Sequence, residues 1–136
     1  MKNKEIEQID EVIDEIESAL KDPKGISSHQ KRLAFCLSLG ITELLENYLN
    51  KKEVLKKGYR INHQWLKKSK DNLKTILAEK ITTSLDKMNK LDKILDIAYK
   101  IESKRNELAY GGPVSEDLLK NLIDGFLEIK KEIEND

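Results

Sequence analysis

With 136 residues, 38% of them hydrophobic and 37% charged, the chain can bury a core, is too apolar for disorder and too charged for a membrane protein. Its 25 Lys and Arg balance 25 Asp and Glu, which excludes a uniformly basic nucleic-acid binder but not a polarised one. The charge is polarised: Met1 to Leu20 holds two lysines against seven carboxylates, and Lys51 to Lys70 holds eight Lys or Arg against Glu53 alone.

The first predicted helix is written by Ile6, Ile9, Ile13, Ile16 and Leu20, spaced three and four apart with charges between them. Asp22-Pro23-Lys24-Gly25 stops it, because proline disfavours helix in the residue before it. A second helix is expected from about Ser28 to Asn50, with Ser27 or Ser28 as its cap. Its middle, Leu33 to Leu39, is apolar on nearly every side, as in the central helix of a bundle. Gly40 inside it costs roughly 1 kcal/mol relative to alanine, which points to a close helix crossing there.

The stretch from Lys51 to Asn62 has no clean apolar stripe and is broken by Gly58. A third helix follows with Leu66, Leu73, Ile76, Leu77 and Ile81 inward, then a break at Thr82-Thr83-Ser84. The fourth helix is expected from Ser84 to about Tyr110, with Met88, Leu91, Ile94, Leu95, Ala98, Ile101 and Leu108 on one face. Gly111 fits a left-handed helix terminator, and Gly112-Pro113 prevents continuation. Ser115 caps the fifth helix, Val114 and Leu119 match a hydrophobic staple, and Leu119, Leu122, Phe126, Ile129 and Ile133 form its stripe. The expected fold is therefore all-α: one domain over residues 1–136, an up-and-down bundle of four long helices plus a shorter one.

Cys36 is the single cysteine and has no internal disulfide partner, which fits a reducing compartment. No apolar run approaches the ~20 residues of a membrane span, and the charged N-terminus lacks an apolar signal core. A cytoplasmic protein without membrane association is expected. There is no zinc signature, Gly-rich phosphate loop or nucleophile elbow, so no cofactor is expected. In the basic segment, Lys51, Lys52, Lys56, Lys57, Arg60, Lys67, Lys68 and Lys70 interleave with Tyr59, His63 and Trp65. That pattern suits single-stranded nucleic acid, or else a solvated face with Trp65 in the core.

One residue does not fit its stripe. Arg105 falls on the inward register of the fourth helix, between Ile101 and Leu108, where a guanidinium needs a specific partner. A structural partner would be a core-edge carboxylate such as Glu43 or Glu46. Tyr110 lies five residues on, about 140° around an ideal helix, so the two can meet only at an unwound helix end or across a twofold dimer.

The run Lys104-Arg105-Asn106-Glu107-Leu108-Ala109-Tyr110-Gly111, near the end of the penultimate helix, resembles the signature of the HEPN superfamily. That signature is Arg, often followed by Asn, then four to six residues, then His. The apolar second helix, from Arg32 to Leu49, is also similar to helices in the HEPN partners of minimal nucleotidyltransferases. The resemblance implies a homodimer whose cleft binds nucleotide or RNA, or cuts RNA without metal. It further implies a toxin–antitoxin setting with a minimal nucleotidyltransferase as partner. Its site would be Lys104, Arg105, Asn106 and Tyr110, with Arg105 and Tyr110 at the reacting centre. The departure is Tyr110 in the histidine's place: a phenol of pKa about 10 is a poor base near neutral pH, so a binding-type protein or degenerate ribonuclease is implied. The alternative function is a non-catalytic helical protein–protein interaction module in which Arg105 only orders the bundle.

Overall fold

The computed structural model describes residues 4–53, 60–68, 70–81 and 90–135. The expected break at Thr82-Thr83-Ser84, the start of the fourth helix and Met88 lie outside the described residues. So do Lys56, Lys57, Gly58 and Tyr59, and the side chains of Ile6 and Lys70.

Helix α1 spans Lys4–Lys21, α2 Gln30–Lys51, α3 Lys70–Lys80, α4 Leu91–Tyr110 and α5 Glu116–Glu134, with 3₁₀ turns at Ile26–His29 and His63–Lys67. The described residues contain no β-strand, so the fold is all-α. Helix α2 packs against α1, α4 and α5, which explains its long apolar run. Leu33, Leu37, Ile41, Leu45 and Leu49 are all fully buried along it.

On α1 the buried stripe is Ile9, Val12, Ile16 and Ala19, while Ile13 is half-buried and Leu20 is half-exposed. The helix is thus rotated from the expected seam: Val12 and Ala19 reach the core because α2 and α5 meet it on that side. Gly40 sits where these helices cross. A Cβ there would lie 2.7 Å and 2.8 Å from two ring carbons of Phe126 and 3.1 Å from Val12 Cγ1, so only glycine lets the backbone approach this closely.

Neither Ser27 nor Ser28 caps α2. The chain enters through the 3₁₀ turn, and Ser28 Oγ donates to the Gly25 carbonyl at 2.9 Å. The N-terminal end of the α2 region is instead held by His29, buried between Glu15 and Asp22. Its Nδ1 lies 2.7 Å from Glu15 Oε1 and its Nε2 2.8 Å from Asp22 Oδ2. Both ring nitrogens can donate at once only in the imidazolium. The bonds to Glu15 and Asp22 accordingly raise the His29 pKa above its usual value, outweighing burial and the nearby Arg32.

The expected stripes of α4 and α5 are buried: Leu91, Ile94, Leu95, Ala98, Ile101 and Leu108 on the first, Leu119, Leu122, Phe126, Ile129 and Ile133 on the second. Ser115 Oγ accepts from the Leu118 amide at 3.2 Å and so caps α5. Gly111 is not left-handed; at φ −88° and ψ −174° it is extended, and its N–H closes the helix on the Glu107 carbonyl at 2.8 Å. Glycine suits this position because a Cβ would stand 2.5 Å from that same carbonyl oxygen. The turn that follows is tied to the start of α2 by the buried side chain of Gln30. Its Nε2 donates to the carbonyls of Leu108 (3.2 Å) and Gly112 (3.0 Å), and its Oε1 accepts from the Val114 amide (3.0 Å). At the far end, Lys51 and Lys90 donate to the last-turn carbonyls of α5, Ile133 at 3.1 Å and Glu132 at 2.8 Å. No helix of the described residues is long and apolar enough to cross a membrane.

Candidate functional site: a cleft between α2, α4 and the 60–65 segment

The apolar surface of α2 is not buried all round. Phe35 and Leu39, which the sequence pattern assigns to the core, are 42% and 40% exposed. With Ser38 and Thr42 they form one wall of a cleft of about 710 Å³. The opposite wall is the segment from Arg60 to Trp65, and Arg105 of α4 completes the rim.

Three buried carboxylates hold that segment down. Glu43 and Glu46 lie one turn apart on α2, both buried, and they meet Arg60: its Nε donates to Glu46 Oε1 at 3.0 Å, and its Nη2 lies 3.9 Å from Glu43 Oε1. These are the carboxylates considered for Arg105, but Arg60 takes them. The third is Glu102, with no exposed surface. Its Oε2 accepts from Ser38 Oγ at 2.7 Å, and its Oε1 lies 2.8 Å from His63 Nδ1. A buried carboxylate is costly unless hydrogen-bonded, so these contacts fix the position of the 60–65 chain against the bundle. Trp65 is half-buried, packing on the core while lining the cleft.

The inward position of α4 at this level is therefore filled by Glu102, one turn before Arg105. Arg105 is half-buried and at the edge of the packing: its guanidinium carbon stands 5.1 Å from the centre of the Phe35 ring, and its Nη1 donates a long bond, 3.4 Å, to Asn106 Oδ1. A long side chain can leave an inward register in this way, laying its stem on apolar surface while its head stays wet.

Tyr110 meets the same ring from another side. Its ring centre is 6.2 Å from that of Phe35, edge to face, and it is 74% exposed rather than packed on α5. Arg105 and Tyr110 thus each touch the Phe35 ring, but only Arg105 lines the cleft. Phe35, on a different helix, bridges the angle between them. Asn106 is exposed beside Arg105 and does not line the cleft. Lys104 is not brought to it: the residue lines a separate hollow between α4 and α5, and its Nζ donates to Glu107 Oε2 at 3.4 Å. Sequence reasoning missed His63 with Glu102 and Ser38, and Arg60 with Glu43 and Glu46. The only local signals were a glutamate on the inward register of α4 and two glutamates spaced three apart in an apolar helix.

Cys36 is half-buried, and burial first, then Glu15 and Glu11, push its thiol above the usual value, which makes it a weaker nucleophile than a free cysteine. Among the described residues no group of three or more His, Cys, Asp or Glu is placed to hold a metal ion.

The fold and cleft together define an all-helical protein with a surface site made of two guanidinium groups, aromatic rings and an imidazole paired with a buried carboxylate. The chain matches no family model, and neither a curated protein nor a solved structure is found to be similar to it.

Proposed function

We propose that the chain is a HEPN-like protein that binds nucleotide or single-stranded RNA in this cleft, of the toxin–antitoxin or nucleotidyltransferase-partner type. The observation that carries the reading is the position of Arg105. The leading residue of the Arg-Asn motif lies at the cleft rim with its guanidinium over Phe35, and Arg60, Asn62, Gln64 and Trp65 line the same cleft. Guanidinium groups hold phosphate through paired N–H donors, aromatic faces stack bases, and side-chain amides read base edges.

In this reading the helices alternate up and down, and a second copy closes over the exposed rings of Phe35 and Tyr110 with Leu39 between the subunits. Because Phe35 already bridges Arg105 and Tyr110 within one chain, the dimer rests on those exposed apolar side chains and on the resemblance. A minimal nucleotidyltransferase is the proposed protein partner. The same exposed rings favour the second reading, a helical protein–protein interaction module without nucleic-acid binding.

Fluorescence anisotropy with an end-labelled 12-nucleotide RNA and with a labelled ATP analogue separates the two. Binding that weakens at least tenfold in Arg105→Ala, with the variant still folded, supports the cleft. Binding that is absent, or indifferent to Arg105, leaves the interaction module. Sedimentation velocity should give about twice the 15.7 kDa chain mass, and a monomer at micromolar concentration refutes the shared cleft.

A further inference from the structure

The corner where α1 hands over to α2 holds a charged cluster that the cleft does not use. His29, its side chain only 8% exposed, lies between Glu15 of α1 and Asp22 of the turn, and Arg32 of α2 reaches in from the surface. Nε2 of the ring faces Asp22 Oδ2 at 2.8 Å, and an ionised carboxylate only accepts. Nδ1 faces two groups of opposite kind: Glu15 Oε1 at 2.7 Å accepts, whereas Arg32 Nη2 at 3.0 Å only donates. One ring nitrogen cannot satisfy both. With a proton it donates to Glu15 and opposes the guanidinium; with a lone pair it accepts from Arg32 and opposes the carboxylate. Arg32 is also tied to Glu15 directly, Nε donating to Oε1 at 3.0 Å, but its side chain is 61% exposed. The elements that meet here carry four further charged side chains, Glu11 on α1, Lys24 in the turn, Lys31 on α2 and Glu116 at the start of α5. Glu116 approaches Gly25, where a Cβ would stand 2.5 Å from its Oε1, and none of the four bonds to the imidazole.

We infer that this corner is a proton-driven exchange of partners: the protonated His29 ring clamps Glu15, and the neutral ring accepts from Arg32 while keeping Asp22. Nδ1 alone has an acceptor and a donor both within hydrogen-bond distance, so losing its proton changes which of them it uses. Nε2 has no second partner, and the proton that remains on the neutral ring stays there, on Asp22. The cluster passes from two cations against two carboxylates to one carboxylate in excess. Glu15 is then held by Arg32 alone, and a bond from an exposed guanidinium is screened by salt far more than one from a buried imidazolium. The bonds to Glu15 and Asp22 raise the pKa of the ring against burial and Arg32. The clamp is therefore complete below the ordinary value of 6.5, and it is exchanged as pH rises through the higher folded value. What the proton controls is how firmly the end of α1 is fixed to the start of α2.

The test follows the ring and its three partners in one NMR titration of the full wild-type chain, from about pH 5.5 to 9. Below the midpoint both nitrogens of His29 should carry protons. Above it the ¹⁵N shifts should place the remaining proton on Nε2. The carboxyl carbon of Glu15 and Nε of Arg32 should step at the same midpoint, and the carboxyl carbon of Asp22 should change less. Arg32→Ala removes a cation and the donor that serves the neutral ring, so it should move the midpoint up; Glu15→Gln should move it down. Double-mutant cycles in urea unfolding then read the asymmetry between the two carboxylates. A hydrogen bond to a charged group is worth about tenfold or more in an equilibrium constant, so the coupling of Glu15 to His29 should fall about tenfold between pH 5.5 and 9. The coupling of Asp22 to His29 should fall several-fold less, and added salt should weaken the hold on Glu15 more at pH 9 than at pH 5.5. A plain ion pair without exchange would lose both couplings alike. A proton retained on Nδ1 at high pH, ring shifts that do not move across this range, or equal loss of both couplings overturns the exchange. The wild-type titration needs no substitution, so it decides the matter even where a variant fails to fold.

Discussion

Gly40→Ala tests the packing logic of the bundle, because its sign can be worked out in advance. In a helix interior, alanine is favoured over glycine by about 1 kcal/mol, so an unobstructed site would be stabilised. At residue 40 the added methyl would stand 2.7 Å and 2.8 Å from Phe126 ring carbons and 3.1 Å from Val12 Cγ1. Phe126 is fully buried and Val12 nearly so, which leaves the ring no room to retreat without parting α2 from α1 and α5. Overpacking of this kind costs about 1–3 kcal/mol, so the net change is a destabilisation of up to about 2 kcal/mol. For a chain of 136 residues each kcal/mol is worth roughly 3–4 °C, giving a fall in Tm of up to about 7 °C. Gly125→Ala is the control: the three atoms nearest its methyl all belong to Ile97, the closest being Cδ1 at 3.1 Å, at a half-buried site. That terminal methyl can turn aside, so Gly125→Ala should be neutral or slightly stabilising. Calorimetry on both variants suffices. Equal stabilisation of both would refute the close crossing.

Two other expectations follow from single side chains. Glu15 is pulled up by burial, but the hydrogen bonds from His29 and Arg32 outweigh this and lower its pKa; Asp22 is lowered by the Lys24 amide and then by His29. Lowered carboxylates stabilise above their unfolded values of 4.5 and 3.8, whereas raised His29 stabilises below its unfolded value of 6.5 and loses that contribution as pH rises through its folded value. The advantage of wild type over His29→Gln in urea unfolding should thus be greatest between about pH 4.5 and 6.5 and shrink by pH 9; a difference that does not vary with pH would contradict the pairing. Cys36 should react with iodoacetamide at pH 7.5 more slowly than a free thiol and speed up on unfolding, and native-state labelling at the free-thiol rate would show its environment misread.

What was legible in the sequence was whatever repeats along one helix. The stripes of α4 and α5, the central place of α2, the Ser115 cap and the crossing at Gly40 all follow from spacing, because period and burial report each other. The stripe of α1 came out rotated, since Ile13 and Val12 are equally apolar and only the packing of α2 and α5 decides which turns inward. Gly111 was placed at the right helix end with the wrong backbone, because an extended glycine and a left-handed one leave the same letter. The cleft was half legible. Arg105 declared itself by breaking a stripe, but its partner did not. Pairing Arg60 with Glu46, or His63 with Glu102, joins residues 14 and 39 apart, and in each pair one partner lies in or beside the 51–62 stretch, which has no periodicity to read. Phe35 looked like core for the same reason: an exposed ring in an apolar helix is invisible until its neighbours are known.

The side chain of Gln30 also bears on the order in which the chain can assemble. Its three hydrogen bonds join it to Leu108, Gly112 and Val114, between 78 and 84 residues away. Closing a loop of that length costs about 4 kcal/mol in chain entropy, so none of these bonds can form early on their own account. During synthesis the second helix emerges with this amide unpaired, and it waits until the fourth helix has ended and the fifth has begun. The clasp can therefore close only after the turn between the fourth and fifth helices has been made, and it ties the turn after Tyr110 to the start of the second helix.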